Sequence, residues 1–175
     1  MSKIAFLVAA EGIERVELTE PWKAVRDAGH EPVLVSPADG EVQTFDHLTA
    51  AGKQAVDQVV ADASVADFAA LVLPGGVANP DALRLDEKAV AFVKEFVASG
   101  KPVAAICHAP WTLIEADAVR GRTLTSWPSL QTDLRNAGAT WVDQEVVVDG
   151  NLITSRNPDD LPAFGKTLLE ALTSG

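Results

Sequence analysis

The 175 residues are enough for one α/β domain with a proper core and too few for two ordinary ones. Apolar residues make up 47% and charged residues 22%, with no low-complexity tract, which argues against a disordered chain. A net charge of −11, with no cluster of Lys or Arg to offset it, argues against stable nucleic-acid binding and leaves room only for a transient encounter.

In chain order, the apolar run "KIAFLVA" (3–9) predicts a central parallel strand covered on both faces. It is too short to span a membrane and leads into acidic residues rather than a cleavage site, so no signal peptide is expected. Val16, Leu18, Trp22 and Val25 predict a helix over 14–28, kinked at Pro21 and capped by Gly29. "EPVLVS" (31–36) predicts a second strand, and "EVQTF" (41–45) a short polar edge strand. Residues 50–68 suggest a broken helix. "AALVLPGG" (69–76) predicts a buried strand ending in a tight turn. Residues 85–101 predict an amphipathic helix between Asp86 and Gly100.

"PVAAI" (102–106) predicts another buried strand, followed by helices over 109–117 and around 128–137. A hairpin over 145–155, turning at Asp149-Gly150, and a closing helix over 159–173 complete the chain. Buried strands alternating with amphipathic helices predict a mainly parallel sheet with helices on both faces, and a ligand site beyond the carboxyl ends of its strands. The loop at Glu11 to Glu14, the Pro74-Gly75-Gly76 turn and Cys107-His108 all fall at that edge.

Cys107 is the one cysteine, so no internal disulfide can form, and a free thiol fits a reducing, cytoplasmic setting. At a strand-to-helix turn its sulfur lies near free helix N–H groups, which favour the thiolate. A small buried hydrophobe is the competing reading, and position alone leaves both open. His108 is either a general base or a polar turn residue. A carboxylate at Glu14 complements the helix dipole whether or not it takes part in chemistry. Gly75 and Gly76 suit a tight turn and also the close approach of backbone N–H groups to an oxyanion. No zinc spacing, phosphate loop, dinucleotide fingerprint or serine elbow is present, so neither metal nor cofactor is expected.

Together "KIAFLVA", "ALVLPGG", "GKPVAAICHAP" and "GRTLTSWPSLQTDLRNAGATWVDQEVVVDGNLITSR" resemble the ThiJ/PfpI superfamily, in particular its PfpI-type branch, over nearly the whole chain. The resemblance implies one flavodoxin-like domain over 1–175, a three-layer sandwich of the class I glutamine amidotransferase type. It implies Cys107 as nucleophile on a strained elbow, Glu14 as the carboxyl group beside it and His108 as its polar partner. The Gly76 and His108 N–H groups would form the anion-binding pocket, and Asp81 of a neighbouring subunit would orient His108 in a homo-oligomer. Ala109 stands where the family pattern has glycine, Asp81 where glutamate is more usual, and Trp127 where relatives often carry tyrosine near the site.

These residues lead to an expected cysteine-dependent stress-response enzyme acting on small reactive carbonyls, with a glyoxalase III-like or protein deglycase outcome. Two alternatives use the same thiol. One is an intracellular cysteine peptidase of the PfpI type, acting on peptides or proteins; the other is a redox sensor or chaperone working through oxidation of Cys107.

Overall fold

The computed structural model describes residues 1–174. Its strands are β1 (Lys3–Leu7), β2 (Glu11–Glu14), β3 (Glu31–Ser36), β4 (Glu41–Asp46), β5 (Thr49–Ala55), β6 (Gln58–Val59), β7 (Ala70–Leu73), β8 (Val103–Ile106), β9 (Thr123–Leu124), β10 (Thr140–Trp141), β11 (Val147–Asp149) and β12 (Leu152–Ser155). Its α-helices are α1 (Arg15–Asp27), α2 (Ala78–Leu83), α3 (Glu87–Ala98), α4 (Pro110–Glu115), α5 (Gln131–Asn136) and α6 (Leu161–Thr173).

The main sheet has the order β11-β12-β8-β7-β1-β3-β6. All neighbours in it are parallel except the β11-β12 hairpin. Successive residues of each strand point to opposite faces, so the apolar runs supply two cores. Ala5, Leu7, Leu71, Leu73, Val103 and Ala105 meet Phe92 and Phe96 of α3 and Leu113 of α4. Ile4, Phe6, Val72, Ala104 and Ile106 meet Leu18 and Val25 of α1 and Phe164 of α6 on the other side. This is the mainly parallel sheet with helices on both faces that the alternation of elements predicts, and the flavodoxin-like, three-layer sandwich that the family resemblance implies.

Helix α3 begins where the Asp86 carboxylate accepts the Ala89 N–H at 2.8 Å. Helix α1 runs on through Pro21, which is buried rather than ending it. Three expectations are corrected. Residues 50–68 form β5, β6 and two short 3-10 turns in place of a broken helix. Strand β4 is no sheet edge: it is the middle strand of a small second sheet, β2-β4-β5. Residues 11–14, read as loop, form β2 of that sheet, with an irregular register at Gly12.

Candidate active site

The carboxyl ends of β1, β7, β8 and β12 lie side by side, and the turns leaving β7 and β8 meet there at Gly75 and Cys107. Cys107 follows β8 directly and has φ +65°, a left-handed conformation that costs a residue with a Cβ on the order of 1 kcal/mol or more. Its backbone is held on both sides: its N–H donates to Ser155 O at 3.1 Å, and its carbonyl accepts the Trp127 N–H at 2.9 Å. The strained turn throws the side chain off the sheet edge, yet the residue is only 6% exposed.

The carboxyl group beside the thiol belongs to Glu17, which corrects the expectation for Glu14. Glu14 precedes the first turn of α1 in extended backbone (φ −63°, ψ 116°), so its side chain does not share the helix's buried face. It is half-buried and accepts the His47 N–H at 3.1 Å. Glu17 lies inside the helix on the face of Leu18, Pro21 and Val25 and is fully buried. Its Oε1 accepts the Gly75 N–H at 3.0 Å, and Oε2 is left without a hydrogen-bond partner.

Burial and the nearby Glu14 charge push the Glu17 carboxyl up to about 8, so it is largely protonated at neutral pH. Burial and the Glu17 charge push the Cys107 thiol above its ordinary value, while the Gly76 and His108 backbone N–H groups favour the thiolate. The donors at the sulfur are therefore these two amides. The expected helix N-terminus is not among them, because α4 begins only at Pro110. Once Glu17 carries its proton the repulsion disappears, and its free O–H can donate to the sulfur. Burial still opposes the thiolate, and this O–H together with the two amides is what offsets it.

His108 is 7% exposed, and its Nδ1 lies 3.1 Å from the Cys107 sulfur. Burial lowers its pKa, which keeps the imidazole neutral and able to accept a proton. Its ring stacks on Trp127 at 5.6 Å and 22°, and meets Trp111 edge-on at 5.2 Å. Trp127 thus stands at the site, 38% exposed. Asp81 does not join it within the chain: it is exposed on α2, and among the described residues its carboxylate makes no hydrogen bond or ion pair.

Both glycines of the turn are required sterically. A Cβ on Gly75 would lie 2.5 Å from Glu17 Oε1 and 2.7 Å from Cys107 Cβ. Gly76 has φ +82°, and a Cβ there would lie 2.1 Å from Gly12 O. Sequence reasoning missed Asn79 as well as Glu17. Fully buried, Asn79 accepts the Ala9 N–H at 2.7 Å and donates to Pro74 O and Gly75 O at 2.9 and 3.1 Å, tying the end of β1 to the glycine turn. Ala109 has right-handed backbone (φ −54°, ψ −32°) and packs at 1% exposure, so its methyl group is accommodated. Among the described residues no group of three or more His, Cys, Asp or Glu side chains is placed to hold a metal ion, and no helix is long and apolar enough to cross a membrane.

The chain belongs to the DJ-1/PfpI family, whose model matches residues 2–171. It is 47% identical over 171 residues to protein/nucleic acid deglycase 2 of Escherichia coli, covering 97% of each chain. It is 44% identical to general stress protein 18 of Bacillus subtilis, covering 98% of this chain and 99% of that protein. Among solved structures it superposes with a TM-score of 0.92 and 36% identity on a two-domain protein of Anabaena variabilis with DJ-1/ThiJ/PfpI-like and ferritin-like domains, matching 99% of this chain and 48% of that one.

Proposed function

We propose that this DJ-1/PfpI-family protein is a cysteine-dependent stress enzyme that acts on reactive carbonyls or on their early adducts with amines. The observation that carries this reading is the Glu17 carboxyl, raised to about 8 by burial, set against the thiol of Cys107. That pair sets the thiol beside a proton donor, with the Gly76 and His108 amides favouring the thiolate form that attacks. The relative named a deglycase, matched along nearly its whole length, supports the same substrate class.

With methylglyoxal, the thiolate adds to the aldehyde carbon, forming a C–S bond, and the carbonyl oxygen takes the Glu17 proton to give a hemithioacetal. A base then removes the proton from that carbon, and reprotonation of the enediol at the neighbouring carbon leaves a lactoyl thioester. Water hydrolyses the thioester to lactate and restores the thiol. The Glu17 carboxylate and His108 Nδ1 are the two groups able to move these protons. In an adduct with an amine, protonation of the nitrogen lets the amine depart instead. A cytoplasmic homo-oligomer without a bound cofactor fits this reading.

The deciding assay is conversion of methylglyoxal to lactate without glutathione, compared with Cys107→Ala. Equal rates for the two proteins sink the proposal. The 3.1 Å approach of His108 Nδ1 to the sulfur also favours a second reading, an acyl-transferring peptidase, for which Asp81 of a neighbouring copy would orient the imidazole. Loss of peptide hydrolysis in Asp81→Ala, with methylglyoxal conversion intact, distinguishes the two.

A further inference from the structure

His108 can accept the thiol proton only if Nδ1 stays turned toward the sulfur, and among the described residues no carboxylate hydrogen-bonds its ring. Its ring instead lies between two tryptophans whose own positions are fixed. The Trp127 N–H donates to the carbonyl of Cys107 itself, at 2.9 Å. Pro128 follows Trp127 and disfavours helical backbone there, in keeping with its extended φ −52° and ψ 133°. The Ser126 hydroxyl donates to the Trp127 carbonyl at 2.8 Å and accepts the Trp141 indole N–H at 3.0 Å, bracing the segment from outside.

Trp111 is held from the other side. Its indole N–H donates to Asp133 Oδ2 at 3.0 Å, and the Arg84 guanidinium lies 5.8 Å from its ring centre. An aromatic ring left 38% exposed at a site mouth is otherwise unfavourable, and here its face is spent on an imidazole.

We propose that Trp127, assisted by Trp111, is a positioning residue that holds His108 by stacking, with Nδ1 toward the Cys107 sulfur. It does within one chain what a carboxylate does in a nucleophile–histidine–acid triad. The inference rests on Cys107 being the nucleophile of the proposed function, but not on the identity of the carbonyl substrate.

The test is the rate of Cys107 alkylation by iodoacetamide at neutral pH, which needs no turnover. The proteins compared are wild type, His108→Ala, Trp127→Ala, Trp127→Phe, Asp81→Ala and the double variant Trp127→Ala/His108→Ala. Trp127→Ala is expected to slow alkylation about tenfold, and to add nothing in the His108→Ala background, since it acts through the imidazole. Trp127→Phe, which keeps a stacking face, should restore most of the rate.

An equal effect of Trp127→Ala with and without His108 overturns the proposal, because it marks simple packing or access to the thiol. So does a wild-type rate in Trp127→Ala, or a fall to the His108→Ala rate in Asp81→Ala. If methylglyoxal is not converted but the cycle behaves as expected, the carbonyl reading fails and the positioning role stands.

Discussion

Glu17 and Cys107 close on Gly75 from two sides, so that a methyl group there would lie within 2.7 Å of both. The contact ties the protonation of a fully buried acid to the reactivity of a buried thiol. Glu17 is pushed from 4.5 to about 8 by burial, so the folded state binds its proton more tightly than the unfolded chain does. The stability associated with that proton is present in full below pH 4.5 and is lost as the pH rises toward about 8. Over that window the expected slope is at most roughly 1.4 kcal/mol per pH unit. Glu17→Gln removes the titration, and urea unfolding at several pH values should show wild type losing stability relative to this variant as pH rises. Parallel curves would exclude a raised Glu17. At neutral pH the variant should also lose about 100-fold or more in carbonyl turnover, because an amide cannot deliver the proton.

Gly76 couples strain and chemistry differently. Its N–H faces the Cys107 sulfur, and its left-handed φ of +82° places a would-be Cβ 2.1 Å from the Gly12 carbonyl. Gly76→Ala is therefore expected to destabilise the fold by about 2 kcal/mol or more and to slow Cys107 alkylation as the amide is displaced. Chemical unfolding and iodoacetamide kinetics read the two effects separately. Normal stability with normal alkylation would mean that this amide does not support the thiolate.

Much of the site was legible in the sequence, and the misses have physical causes. Apolar runs at strand spacing located β1, β3, β7 and β8, because buried parallel strands need apolar residues on both faces. They also located the sheet edge where Cys107, Gly75 and Gly76 meet. The failure at Glu14 was one of local geometry. A single helical turn separates it from Glu17, and only the extended backbone at residue 14 decides which carboxyl turns inward. A signal did exist, since Glu17 lies on the apolar stripe of Leu18, Pro21 and Val25, where an acid is out of place. Strand β5 was missed because "TAAGKQA" is largely exposed and carries no apolar alternation.

Asn79 offers a test of what positions the glycine turn. Its amide satisfies a buried N–H and two buried carbonyls at once, on segments that are distant in sequence. Asn79→Ala leaves the Ala9 N–H unpaired, for an expected loss of about 2–3 kcal/mol, and loosens the turn behind Gly76. Asn79→Asp should rescue little, because a carboxylate can still accept from Ala9 but faces the Pro74 and Gly75 carbonyls with no donor. Full stability of the Asp variant in urea unfolding would contradict the assigned orientation of the amide.

Ala109 provides the opposite expectation, a substitution toward the family pattern that should not help. Its backbone is right-handed, so glycine's freedom has no use there, and its methyl group is packed against the core beneath α4. Ala109→Gly removes that contact and gives the unfolded chain more freedom, for an expected loss of about 1–2 kcal/mol. The N–H groups at the sulfur belong to Gly76 and His108, so Cys107 alkylation should stay near the wild-type rate. A stability gain, or a marked rise in alkylation, would show that the alanine constrains the elbow after all.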